Sequence, residues 1–249
     1  MRRIVIGCLA AAILIAPASI AATRRRSAPS LPKTATPSGD CHVFGLVTAG
    51  TVASYLTTTT SSGNVNFTIT WISDTPTQTK TTQQVTTPQA TTAVETTLDG
   101  VVSGNLRGLK HLYTKSTTPV PFLGNTVVEV DIDFSPALIA GPTEGWCAGA
   151  KWSIPATTET VVVKSIAGTQ SLIVTNVASE GEVLAVGESV TVPAGTFNTV
   201  KYKSSIVGSG NTPQPAITWT DMTRAIVVRQ DTLDSSGAVT SSTTLQSVH

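Results

Sequence analysis

The chain has 249 residues, of which 12% are charged, and its formal net charge is +1. That charged fraction is about half the roughly 25% of an average globular protein. Such a near-neutral balance gives no global positive field for nucleic acid or anionic lipid.

The chain begins with Arg2 and Arg3, then an apolar run from Ile4 to Ile15, then Pro17, Ala18, Ser19, Ile20, Ala21 and Ala22. This is the charged, apolar, small-residue order of a secretory signal, and it predicts a signal peptide over residues 1–22 with cleavage after Ala21 or Ala22. Ile4 to Ile20 is close to the length of a spanning helix, but Pro17 and the small residues behind it favour cleavage over a retained anchor. Arg24, Arg25 and Arg26 follow the predicted cut, and basic residues there resist translocation. Cys8 sits inside the apolar run with too little of that run before it to be a lipid attachment site. No later stretch is long and apolar enough to span a membrane as a helix, so the mature chain is expected to be soluble and monomeric in the periplasm or outside the cell.

Residues 23–39 combine arginine, serine and alanine with Pro29, Pro32 and Pro37, show no apolar period, and read as a disordered lead-in. One antiparallel β domain is expected over residues 40–249. Once the leader is removed, Cys41 and Cys147 are the cysteines that remain, and an even number in an exported chain predicts a disulfide. Such a bridge ties the first strand to the middle of the chain. For a loop of this size the chain-entropy model allows about 4–5 kcal/mol.

From Cys41 onward the dominant period is two. Val65, Phe67, Ile69 and Trp71 fall on one face of a strand, with Asn66, Thr68 and Thr70 on the other. Val128, Val130, Ile132 and Phe134 alternate in the same way with Glu129, Asp131 and Asp133. Val200, Tyr202 and Ile206 lie opposite Lys201 and Lys203. Each is a strand with one face on a core and one in water, the antiparallel pattern. Further strands are predicted at residues 172–177, 216–220, 225–233 and 239–245. Roughly one residue in six is threonine, whose branched Cβ suits a pleated surface. No segment carries a helical stripe. The fold class is therefore all-β, with one curved antiparallel sheet, a half-barrel, favoured over a two-sheet β-sandwich.

The sharpest local element is Ser189–Phe197, in which Pro193 presets a turn and Gly195 accepts positive φ, so that two strands join in a tight, bulged hairpin. This segment, Ile217-Thr218-Trp219 and Ala225–Arg229 together resemble a broad group of uncharacterised exported bacterial β proteins. Those proteins share a V-x-V-P-A-G-T-F hairpin, a tryptophan strand and a strand ending in a basic residue. Gly149–Trp152 loosely matches their upstream Gly-x-x-W element. The resemblance covers about residues 120–248. It implies a fold like the half-barrels of the periplasmic lipoprotein carriers, and with it a concave face able to hold a lipid or other amphiphile. Asp221-Met222-Thr223 stands where the group has a Pro-Gly turn. The resemblance brings no catalytic residues.

Glu129, Asp131 and Asp133 are the densest acidic group, and alternate strand residues stand about 6.5–7 Å apart. Paired carboxylates of a glycoside hydrolase or calcium ligands fit that spacing, but a solvated face opposite lysines on a neighbouring strand is the plainer reading. His42, His111 and His249 have no metal-ligand spacing, and the chain has no Gly-x-Ser-x-Gly elbow; His111 alone is placed where a triad histidine could stand. Gly104–Lys110 lacks the phosphate-loop spacing and reads as a turn into a strand. The threonine clusters at 57–60 and 75–79 do not repeat and are ascribed to β propensity and loop solubility. Of the tryptophans, Trp71 is expected in the core, while Trp146 and Trp152 flank a loop where they could line a sugar or lipid site.

No catalytic, cofactor or metal site is assigned, and no cofactor is expected. The leading expectation is an exported, non-enzymatic protein that holds an amphiphile. The alternatives are a hydrolase that uses the strand carboxylates and a structural or surface-interaction protein without a small ligand.

Overall fold

The computed structural model describes residues 41–249 apart from 61–62, 88–89, 104–105, 121–123, 140, 143–144 and 208–214. The predicted leader and lead-in lie outside the described residues. The described chain is all β. Its strands are β1 (Cys41–His42), β2 (Val52–Thr59), β3 (Gly63–Asp74), β4 (Gln78–Thr86), β5 (Thr91–Ser103), β6 (Leu106–Val120), β7 (Gly124–Ile139), β8 (Trp146–Cys147), β9 (Lys151–Ser165), β10 (Gly168–Val192), β11 (Gly195–Val207), β12 (Ala216–Asp221), β13 (Val227–Leu233) and β14 (Val239–Val248).

β1 and β8 form a two-stranded sheet, and the other twelve strands form one antiparallel sheet whose hydrogen-bonded order returns on itself. The expected half-barrel would leave two open edges; here β10 joins them. It pairs with β9 through Gly168–Glu182 and with β11 through Ala178–Val192, so that among the described residues only Ser179–Glu182 are paired on both edges. The sheet therefore closes at a narrow seam, made possible by the length of one strand.

Gly181 lies at this seam, opposite Trp152 on β9 and Ser204 on β11. The Trp152 ring covers it so closely that a Cβ at this position would overlap both the ring and the carbonyl oxygen of Lys203. Glycine is required here by the close approach of a ring and a backbone, not by its own φ.

Cross-strand register allows one face to be followed around the ring. From Trp152 it passes to Gly181, and from Val183 to Tyr202, Thr218, Gln230, Thr243, Thr57 and Val65. It continues from Phe67 to Val85, from Gln83 to Val94, from Thr96 to Thr114 and Val130, and on to Val163 and Gln170. This is the inner face, and the core lies on it.

The core has three parts. Ala53, Tyr55, Phe67, Ile69, Val85, Val94 and Leu245 belong to one cluster, which also takes in Val47, Phe197, Ile226 and Val228. Leu112, Val130, Ile132, Phe134 and Leu138 form a second. A third joins Cys147, Ala150, Trp152, Val183 and Val200. The predicted alternations in β3, β7 and β11 supply members of all three, while the side chain of Ile206 is outside those described. At about 25 cal/mol per Å² of apolar surface removed from water, burying one such Leu, Ile or Phe stabilises the fold by roughly 1.5–3 kcal/mol.

Many inner positions carry threonine instead. Thr92, Thr96, Thr114, Thr218, Thr220 and Thr243 are buried, and the Thr57 and Thr243 hydroxyls meet at 2.7 Å. In the 57–60 cluster, Thr57 to Thr59 lie in β2, as their β propensity implies, and Thr60 is in the turn that follows. The predicted hairpin forms with Val192 opposite Gly195, whose φ is 130°.

Candidate functional site

Two groups of chemically capable side chains stand out, one on each face of the sheet. On the inner face, the Cys41–Cys147 disulfide is formed, as expected, with a sequence separation of 106. It staples β1 to β8 in register, with Cys41 opposite Cys147 and His42 opposite Trp146. The small sheet is held on the barrel by the Gly149 amide donating to the Val183 carbonyl and the Val183 amide donating to Ala150, both at 2.8 Å.

This arrangement brings five aromatic rings together. His42 and Phe44 lie 5.0 Å apart between centroids, Phe44 and Trp146 5.4 Å, Trp146 and Trp152 5.8 Å, and Trp146 and Tyr202 4.8 Å. Trp146 is half-buried, Trp152 is buried at 6% exposure, and Met222 packs alongside. Of the two tryptophans whose exposure the sequence left possible, Trp146 is half-buried and Trp152 is buried with the Trp146 ring packed on it.

The polar atoms here are unevenly served. Burial pushes the Tyr202 phenol above its ordinary pKa, although hydroxyl partners at Thr220 and Thr218 work against that. Trp152 Nε1 and His42 Nε2, by contrast, have no hydrogen-bond partner among the described residues, and the same is true of the Tyr55 hydroxyl elsewhere on the inner face. Tyr55 is 1% exposed, stacks on Phe67 with centroids 5.0 Å apart, and is held far above its ordinary pKa by burial. An indole N–H can only donate, and leaving one buried and unpaired costs about 1–3 kcal/mol.

A pocket of about 380 Å³ is lined by Leu46, Thr48, Thr51, Thr223, Arg224, Val248 and His249, none of them a member of the aromatic group. It adjoins the aromatic group through the chain itself, since Leu46 is two residues from Phe44 and Thr223 follows Met222. The loop behind it replaces the Pro-Gly turn of the resembling group. Asp221 accepts from the Thr223 and Arg224 amides at 3.1 and 3.2 Å, and Ala225 adopts φ 56°, a left-handed conformation uncommon for a residue with a Cβ. Asp221 is thus an Asx-type substitute for the missing turn, and it fixes Arg224 at the pocket rim through a contact of 3.4 Å to Nη1.

The second group lies on the outer face. The imidazole of His111 on β6 bridges two strands, with Nδ1 3.0 Å from Asp99 Oδ2 on β5 and Nε2 3.1 Å from Asp131 Oδ1 on β7. Burial opposes the charged ring, but the hydrogen bonds to Asp99 and Asp131 and the charges of Asp131 and Asp133 raise its pKa overall. Asp99 is lowered, chiefly by the Gln78 side-chain amide, which donates to it at 2.6 Å. With both nitrogens held by carboxylates, His111 has none left to act as base toward a serine.

Glu129 is registered against Lys115 and Lys164, the lysine-faced arrangement read from the sequence, and Asp133 is opposite His111. None of the three acidic residues lines the pocket. Among the described residues no group of three His, Cys, Asp or Glu side chains could hold a metal ion. β6 starts at Leu106 and continues through Lys110, while Gly104 and Asn105 fall outside the described residues.

A third feature, not legible in the sequence, surrounds Trp219. Lys201 Nζ and Arg229 Cζ lie 5.0 and 5.1 Å from its ring centroid, and its Nε1 donates to Glu188 Oε1 at 3.0 Å. Register puts Lys201, Trp219 and Arg229 directly side by side on β11, β12 and β13. Every polar group of this row is partnered, which suits a brace across three strands.

No family model matches the chain, and no curated protein matches it. Two solved structures are similar to it at a TM-score of 0.40. One is a candidate lipoprotein from Parabacteroides distasonis, 13% identical, with 84% of this chain and 100% of that one covered. The other is a candidate exported protein with a YmcC-like fold from Bacteroides fragilis, 11% identical over the same shares of the two chains.

Proposed function

We propose that the protein is exported and non-enzymatic, and that it binds a single-tailed amphiphile whose head places an oxygen on the Trp152 indole within the aromatic cluster and whose tail runs toward the pocket that begins at Leu46. The carrying observation is the indole N–H of Trp152, buried and without a partner among the described residues, within a group of rings that the chain joins to a pocket of about 380 Å³. A ligand oxygen would satisfy that donor while the half-buried Trp146 and Met222 give apolar contact. The pocket falls within the few hundred Å³ of typical small-molecule sites, and its lining divides into apolar residues (Leu46, Val248) and polar ones (Thr48, Thr51, Thr223, Arg224, His249). Export is supported by the signal-like order of residues 1–22 and by a disulfide of the kind that persists in oxidising compartments.

The test is a titration of the disulfide-intact protein with lauric acid and with a lysophospholipid, each below its micelle-forming concentration, followed by tryptophan fluorescence. A saturable change is expected, weakened at least tenfold by Leu46→Asp and by Trp152→Phe, the latter removing the donor while keeping a ring. If neither probe gives a saturable change, or if both variants bind as the parent does, the proposal fails.

A further inference from the structure

The narrow seam has a consequence at the other end of β10. Gly168–Val177 pair with β9 along one edge, while β11 starts its pairing only at Ala178, so that among the described residues no strand covers the second edge of this segment. Residues 168–173 are all exposed. Leu172 is 40% exposed and Ile173 64%, and they point to opposite faces of the sheet, as neighbours on a strand must; Ile166 at the hairpin tip is 84% exposed. The usual protections of a free edge are missing: from Ser165 to Ser179 there is no charged residue and no proline. Lys164 and Glu180 bound the segment on either side.

We infer that this edge pairs with the same edge of a second copy of the chain, so that two sheets continue into one another across a twofold axis. An antiparallel strand set against its own copy needs no change of register along its length, and each residue meets its twofold mate's neighbourhood in the same way. The absence of charge selects this occupant. A dissimilar partner chosen by charge would find nothing to recognise, whereas a like edge meets no repulsion and gains main-chain hydrogen bonds together with apolar contact on both faces. The inference is independent of the amphiphile site, because none of these residues lines the pocket or belongs to the aromatic cluster. It departs from the monomer expected from the sequence.

The mature, disulfide-intact chain is sedimented from 1 to 200 µM and examined in parallel by hydrogen exchange. A dimer should appear with rising concentration, and with it alternate amides of residues 168–174, those directed away from β9, should become protected. Ile173→Lys, at an exposed position where folding is not at stake, should weaken association at least tenfold and abolish that protection. A monomer throughout overturns the inference. So does a dimer that survives Ile173→Lys or is protected elsewhere. Protection of the same amides at every concentration also overturns it, because the edge would then be covered by the chain's own residues.

Discussion

Replacing Gly181 with alanine tests the seam, because two opposing effects predict opposite signs. In a strand whose φ suits any residue, Gly→Ala restricts the unfolded chain and stabilises by about 0.4–1 kcal/mol. Gly181 has no positive φ, so that gain applies in full unless the new methyl group has nowhere to go. It has nowhere: its Cβ would overlap Trp152 Cζ2 and the Lys203 carbonyl oxygen, and would stand 2.5 Å from Trp152 Cη2. The carbonyl belongs to the β11 backbone, and the ring is wedged among Trp146, Tyr202 and Val183, so neither obstacle can swing aside. Overpacking of this kind costs about 1–3 kcal/mol, and parting the doubly paired segment adds to it. A net loss of about 2–4 kcal/mol is expected, a fall of roughly 1 M in urea midpoint for an m-value near 3 kcal/mol/M. Gly45→Ala, with nothing within 4 Å of its Cβ, is the matched control and should be neutral or slightly stabilising. Urea unfolding followed by tryptophan fluorescence reads both. A Gly181→Ala midpoint at or above the parent's would show that the seam is not closed as described.

Reduction, or Cys41→Ser with Cys147→Ser, should cost about 2–5 kcal/mol in urea unfolding and loosen β1 and β8 from the inner face, seen as a red shift of Trp146 emission. The His111 bridge makes stability pH-dependent. Because its folded pKa is raised, its contribution is fully present below the unfolded value near 6.5 and is lost as pH climbs through the folded one. Asp99→Asn should lower the His111 pKa in an NMR titration and flatten that dependence, while Asp133→Asn, which removes a charge but no hydrogen bond to the ring, should have the smaller effect. Asp231 is buried and accepts from Arg229 Nε at 3.0 Å, Arg229 Nη2 at 2.7 Å and Ser242 at 2.7 Å. Arg229→Met leaves that carboxylate with the serine alone and should destabilise by about 1–3 kcal/mol in the same unfolding assay.

The parts of this fold legible in the sequence are those where the apolar alternation is unbroken. Val65 to Trp71 and Val128 to Phe134 announce β3 and β7 because nearly every inner position there is large and apolar, and the acids between them face water as the pattern implies. β4 and β5 escaped the same reading because their inner positions alternate Gln83 with Val85, and Thr92 and Thr96 with Val94. Threonine suits both faces of a pleated sheet, so a strand that buries it carries no period to read. β10 was legible only in pieces, as residues 172–177 and the hairpin at 189. Gly181 and Gly187 look like breaks between them. In the structure one is a packing site beneath Trp152, and the other, with φ 83°, lies within the irregular pairing between Val186 and Glu188 that lets a long strand bend from one partner to the next.

The same long strand accounts for why the candidate sites lie where they do. Closing the sheet along only Ser179–Glu182 leaves the inner face near the seam short of strand partners on either side, and the chain covers it with a stapled two-stranded sheet in place of another barrel strand. A cover made of two residues on each side cannot supply a full set of hydrogen-bond partners, and Trp152 Nε1 and His42 Nε2, which have none among the described residues, are both found beneath or within it. At the far end of β10 the geometry works in reverse: strand extends beyond its partner, and no described residue covers its uncharged edge. One length mismatch thus leaves, among the described residues, buried nitrogens without partners on the inside and an edge without a ladder on the outside. Leu172→Lys with Ile173→Lys, which charges the free edge while leaving β9 paired with β7, should abolish concentration-dependent association while leaving the fluorescence response to lauric acid within twofold. Loss of both together would mean that the two ends of β10 are mechanically coupled and that the amphiphile site depends on the edge being paired.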